Sequence, residues 1–286
     1  MKKLIRRGLF TSILIIIGEI LCFSMILGCS NKNPLDSDNN QADTDKLNEV
    51  GFPLAIGNKW IFHVQGEMTT IEFIPPDTTV TNLDVDVLWE ITAKEQVLGV
   101  EAFRMETTHH FASGPDSGKT FTGLSWYTVK GDTLIGMAYQ GDLAFSEVST
   151  AQLHKVTQEP EGWGISVLTF PLEVGKEWWR FAPEHELHQI LGKKVVEAVD
   201  KIAVPAGNFD AFRIMWSLTS DDPNTNHIIT INQWFTSIGV VKYAENINLE
   251  GVLHYEYDEN GNIIEEKSGK LIKNYIMELV SYQIEE

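Results

Sequence analysis

Cysteine is nearly missing from this chain of 286 residues. It occurs twice, at Cys22 and Cys29, and nowhere after that. No internal disulfide can staple the remainder, so a packed core must hold the fold. Basic residues are also few. Against 40 Asp and Glu stand 22 Lys and Arg, a net charge of −18. So acidic a surface is a poor partner for nucleic acid, whose affinity comes from basic side chains. It disfavours anionic ligands and anionic membrane surfaces on the same ground.

Catalytic and metal motifs are missing too. In Glu184-His185-Glu186-Leu187-His188 the histidines are three apart, where a zinc-protease helix needs four. On a strand the two would point to opposite faces. His109 and His110 are adjacent and diverge for the same reason. The acidic run from Asp36 has Gln41 and Leu47 where a calcium loop needs Gly and Glu. Gly114-Pro115-Asp116-Ser117-Gly118-Lys119-Thr120 is one residue short of a phosphate loop, and it leads into a strand rather than a helix. Ser113, Ser117 and Ser166 lack a nucleophile elbow. The expectation is no enzyme, no cofactor and no resident metal.

What is present starts with an address. Lys2, Lys3, Arg6 and Arg7 precede an apolar run over 9–27, a charged region followed by a hydrophobic one. The run ends Ile26-Leu27-Gly28-Cys29. That resembles the lipobox of bacterial lipoproteins, in which a small residue precedes the cysteine that takes the lipid. The resemblance implies a signal peptide over 1–28 and lipidation at Cys29. Ser30 follows, where an aspartate holds enteric lipoproteins in the inner membrane, so it implies the outer membrane. Residues 30–50 are polar and rich in Asn and Asp. With Cys29 they make a disordered tether over 29–50, with a reach of about 25 Å as a flexible coil.

From residue 51 the pattern is that of strands. Leu83, Val85, Val87, Trp89 and Ile91 alternate with polar residues, and Phe212, Ile214, Trp216 and Leu218 repeat the pattern. Val204-Pro205-Ala206-Gly207 reads as a turn, with glycine where a positive φ is cheapest. Asn260-Gly261 between alternating flanks is a hairpin signal. A short helix is expected only near 150–157. Trp163, between two glycines, is expected to be exposed.

Three stretches recur in order. Phe52-Pro53-Leu54 through Trp60 matches Phe170-Pro171-Leu172 through Trp178. Ala102-Phe103-Arg104-Met105 matches Ala211-Phe212-Arg213-Ile214. Trp126-Tyr127-Thr128 matches Trp234-Phe235-Thr236. Three collinear echoes point to two related halves, over about 51–145 and 165–286, within one domain at 51–286.

The repeated FPLxxGxxW, the VPAGNF turn and WFTSIGVVKY together resemble a group of uncharacterised bacterial lipoproteins. These carry PLxVGxxW, a VPAGTF-type turn and a GVGLVK-type strand. The resemblance covers 52–243. The chain departs from it at Asn208, where Thr is usual, and at Ile238-Gly239-Val240-Val241. It implies curved antiparallel sheets similar to periplasmic lipoprotein carriers, which hold acyl chains in a half-closed β-barrel. It supplies no catalytic residues.

The expected fold is therefore all-β: an antiparallel curved sheet or half-barrel built from two related halves. The expected protein is a lipid-anchored outer-membrane lipoprotein of the cell envelope. It is a non-catalytic binding or carrier module for an apolar ligand or an envelope partner. Its ligand-binding lining would be Trp89, Phe103, Trp126, Phe212, Trp216 and Trp234. The alternative is a structural or envelope-interaction lipoprotein in which the same six side chains fill a core. A hydrolase is less expected still, for want of convergent polar groups.

Overall fold

A computed structural model of the chain describes residues 53–73, 76–97, 99–114, 116–141, 154–155, 165–181, 190–220, 226–257 and 263–285. The signal segment, Cys29, the tether, Trp163 and the His185–His188 pair lie outside these residues. The described residues form thirteen strands and no helix. They are β1 (Lys59–Phe73), β2 (Pro76–Val97), β3 (Val100–Phe111), β4 (Thr120–Lys130), β5 (Thr133–Gly141), β6 (His154–Lys155), β7 (Ile165–Thr169), β8 (Glu177–Phe181), β9 (Ile190–Val204), β10 (Gly207–Ser220), β11 (Asn226–Thr236), β12 (Gly239–Tyr257) and β13 (Ile263–Gln283). Residues 154 and 155, within the expected helix, instead pair with β5 as a strand.

All pairings are antiparallel, and the strands form one sheet. Twelve lie on one path, β6-β5-β4-β3-β2-β1-β13-β12-β11-β10-β9-β8, with β7 also paired to β5. The last strand thus lies beside the first, joining two meanders. The sheet curls into a nearly closed barrel. At the far seam, Lys194 of β9 reaches the carbonyl of Val167 on β7 at 3.1 Å. One hydrophobic cluster draws on both meanders and on β7, so the barrel has a common interior.

Alternation fixes which side chains enter it. On β2, Leu83, Val85, Val87, Trp89 and Ile91 are all buried, as their period of two requires. On β10, Phe212, Ile214 and Trp216 are buried while Arg213, Met215 and Ser217 are half-buried on the other face. Gly66 lets two strands approach. It faces Tyr275 across β1 and β13, and a Cβ there would fall 2.2 Å from the Asn274 carbonyl oxygen and 2.4 Å from the Tyr275 Cβ.

Echoed residues make similar hydrogen bonds. In the first half, Gly57 N donates to Ile91 O at 2.8 Å and Ile91 N to Asn58 O at 2.9 Å. In the second, Gly175 N donates to Val196 O at 2.7 Å and Val196 N to Lys176 O at 2.9 Å. Both glycines have positive φ, 99° and 90°, the conformation that lets the chain turn here without a Cβ clash. Asn58 Nδ2 then donates to Pro53 O, as Lys176 Nζ donates to Pro171 O. Arg104 lies opposite Trp126, and Arg213 opposite Trp234. Each indole donates to a carboxylate that also pairs with that arginine: Glu95 in one half, Asp200 in the other. Even the register shifts fall alike, after Trp126 and after Trp234.

The barrel has two unlike ends. The turn glycine at 99, the tight turns at 131–132, 205–206 and 237–238, and the glycine corners at 57 and 175 share one end, the turn end. The connections at the opposite end, the loop end, lie outside the described residues apart from most of 112–119. There Gly114 and Gly118, both with positive φ, shape a hairpin loop into a strand.

Candidate functional site

The candidate site is the barrel interior, where the two halves differ. Near the turn end it is apolar and sealed. Phe62, Leu279, Val241, Ile214 and Val196 have no exposed surface, and Phe235 has 1%. Further along the strands the inward row becomes polar. Where the first half sets Trp89 between Trp60 and Thr107, the second sets Lys194 between Trp178 and Trp216. Lys194 is fully buried. Its ammonium meets the Val167 carbonyl, the Gln233 side-chain oxygen at 3.4 Å, and the Trp216 ring at 5.2 Å from the centroid. The carbonyl, the amide oxygen and the aromatic face are among the groups that meet this amine in place of water.

A second buried group is built on β12 and β13. Glu245 and Tyr275 are direct cross-strand partners, and Tyr243 and Lys273 lie two residues from them on the same faces. Tyr243 and Tyr275 each donate a phenol hydrogen to Glu245 Oε2, at 2.7 and 2.6 Å. Lys273 Nζ lies 3.3 Å from Glu245 Oε1 and 4.5 Å from the Tyr275 ring centroid. Burial lowers the Lys273 pKa, and the Glu245 charge beside it works the other way. Burial, then the Glu245 charge, push the Tyr275 phenol well above its ordinary value. A phenol held protonated is neither base nor nucleophile at neutral pH. Chemically, the arrangement is a hydrogen-bonded carboxylate with its counter-ion, suited to holding strands in register.

On the first half's side the inward polar residues are Thr107, His109 and Ser125. Burial lowers the His109 pKa to about 4. His110 points outward and is within 3.2 Å of the Thr120 hydroxyl, so the pair diverges as alternation requires. Among the described residues, no group of three or more His, Cys, Asp or Glu could hold a metal ion.

The six aromatic residues named from the sequence are distributed as follows. Trp89, Phe212 and Trp216 are buried in the common interior. Phe103 and Trp234 are half-buried and pack against it. Trp234 shares a face with Arg213 and is capped by Lys242, 5.9 Å from its centroid. Trp126 belongs to a separate cluster with Val97, Ala102, Met137 and Ala138.

No family model matches the chain, and no curated protein does. Two solved structures resemble it. One is a protein of Parabacteroides distasonis ATCC 8503, provisionally named a lipoprotein: TM-score 0.35, 12% identity, 81% of this chain and 97% of that one covered. The other is a provisionally named exported protein of Bacteroides fragilis NCTC 9343 with a YmcC-like fold: TM-score 0.39, 10% identity, 80% and 96% covered. Likenesses this distant carry no argument about what this chain does.

Sequence reasoning passed over Lys194, Glu245 and Lys273. Each had a signal, being a charged residue in an inward-facing row. Glu245 follows Val241 and Tyr243, and Lys273 sits between Leu271 and Tyr275. That row becomes visible only once strand limits and bulges are known, since a one-residue slip moves the charge to the solvent face.

Proposed function

We propose that this protein is a lipid-anchored, non-catalytic component of the bacterial cell envelope that acts through the outside of a filled barrel. The observation that carries the reading is the sealed interior row near the turn end, from Phe62 to Phe235. A lumen kept for a ligand would leave surface on the side chains that line it, and these have almost none. A barrel of about twelve strands is wider than side chains readily fill. Here the large rings of Trp60, Tyr127, Tyr243 and Phe235 are fully buried within it. On this reading the aromatic richness of the sequence serves packing. Anchoring is supported by the lipobox-like Gly28-Cys29 after an apolar run.

The second reading, an apolar-ligand carrier, is favoured by one observation. Inward residues away from the turn end keep slight exposure, such as Met68 at 8% and Leu83 at 7%. A ligand would enter from that side and meet Trp216 and Lys194.

The anchoring part is tested by expressing the full chain beside Cys29→Ser and measuring mass and membrane partition. The expected outcome is an acylated, shortened, membrane-bound wild type and an unprocessed variant. A wild type of unprocessed mass, or identical products from both, contradicts it.

A further inference from the structure

We infer that the turn end of the barrel rests on the lipid bilayer, with Ile56, Val129 and Val174 as its apolar contacts. The inference rests on the lipid anchoring proposed above. The motivating feature is a repeated one that the fold does not require. In each half a turn closes with an N–H to carbonyl bond across four residues, Asn58 to Ala55 at 3.2 Å and Lys176 to Glu173 at 2.9 Å. The third residue of each turn is the positive-φ glycine. The second is a β-branched aliphatic, Ile56 in one half and Val174 in the other. These corners are 55% and 60% exposed, among the most exposed large hydrophobic residues described. A turn corner contributes nothing to the core, and any polar residue would serve the backbone there equally well. Val129, 47% exposed, stands at the same end where β4 runs into its turn. On the outer wall near that end, Ile61 and Val280 are also exposed, at 43% and 39%.

The occupant follows from where the chain enters. Asn58 is fully buried and fastens both ends of the domain to the turn end. Its Nδ2 donates to Pro53 O, and its Oδ1 accepts from Glu285 N at 2.6 Å. The tether therefore leaves from the same end that carries the exposed aliphatics. Its 29–50 segment reaches about 25 Å, which keeps that end close to the leaflet holding the acyl chains. Aliphatic side chains on rigid corners partition into the headgroup boundary, and the lipid anchor supplies the first of the two signals that stable attachment takes. Glu173 and Lys130 flank two of the three contacts, and with an acidic protein the fitting surface is zwitterionic rather than anionic.

The test uses the full, acylated chain in vesicles of phosphatidylethanolamine and phosphatidylcholine. Single cysteines are introduced by Ile56→Cys, Val129→Cys, Val174→Cys and, near the loop end, Val80→Cys. Acylated Cys29 leaves no competing thiol. Each is labelled with an environment-sensitive fluorophore and exposed to lipids with a quencher on the acyl chain. Expected are a blue shift and several-fold stronger quenching at 56, 129 and 174 than at 80. Equal quenching at all four sites, or none at the turn end while protein still floats with the vesicles, overturns the orientation and leaves anchoring intact. A protein whose mass shows no acyl group overturns both.

Discussion

Lys273 and Glu245 hold opposite charges 3.3 Å apart in the barrel wall, with almost no exposed surface on either. Removing one charge strands the other, which costs about 3–5 kcal/mol for buried pairs. Glu245→Gln should therefore lower unfolding stability by roughly that amount in denaturant titration. Replacing the whole group, with Glu245→Leu, Lys273→Met, Tyr243→Phe and Tyr275→Phe together, should recover most of the loss, because the carboxylate, its counter-ion and both phenol donors are then removed together. A quadruple variant no better than Glu245→Gln would mean that the group contributes more than mutual neutralisation. His109 gives a pH signature. Its folded pKa is about 4 against about 6.5 unfolded. Between those values the unfolded chain binds the extra proton, so stability is full above pH 6.5 and falls as pH drops toward 4. The His109→Leu variant should lose roughly 2–3 kcal/mol less than wild type between pH 7 and pH 4.5. Parallel pH profiles for the two proteins would contradict the burial argument.

At the scale of strands, Gly66 is a point of close approach in the β1–β13 junction that joins the two meanders. Gly66→Ala puts a methyl group against backbone, which cannot swing aside, so a cost of about 3 kcal/mol is expected, read as a lowered denaturation midpoint with unchanged slope. An alanine variant of wild-type stability would show that the junction yields. Strand content was largely readable beforehand. Leu83 to Ile91 and Phe212 to Trp216 announce their faces through alternation alone, and both runs fold as read. The echoed residues hold like positions: Gly57 and Gly175 take a positive φ, and Trp126 and Trp234 each donate an indole N–H to a carboxylate. Less legible was the length of β13. Its first half, from Ile263, carries charges at several positions, so the alternation shows only from Ile276 on. The two-residue β6 had no signal, since two residues hold no period. Lys194 was hidden because Lys193 beside it faces outward, and nothing local says which of two adjacent lysines is inside.

At the scale of the whole molecule, the proposed function is that of a barrel filled by its own side chains and put to use from outside. A curved sheet was what the resemblance implied, since strands with one apolar face serve two packed sheets equally well. Whether the curl would enclose space or close upon itself could not be anticipated, because that depends on ring packing across strands far apart in sequence, such as Phe170 against Phe235 with centroids 6.2 Å apart. The most direct measurement is equilibrium titration of a soluble form, beginning at Ser30, with a fluorescent fatty-acid probe. The filled barrel predicts no saturable binding and no protection of the protein against thermal unfolding. Saturable one-to-one binding that raises the midpoint and is lost on Trp216→Ala would contradict it, and would make the interior a ligand site.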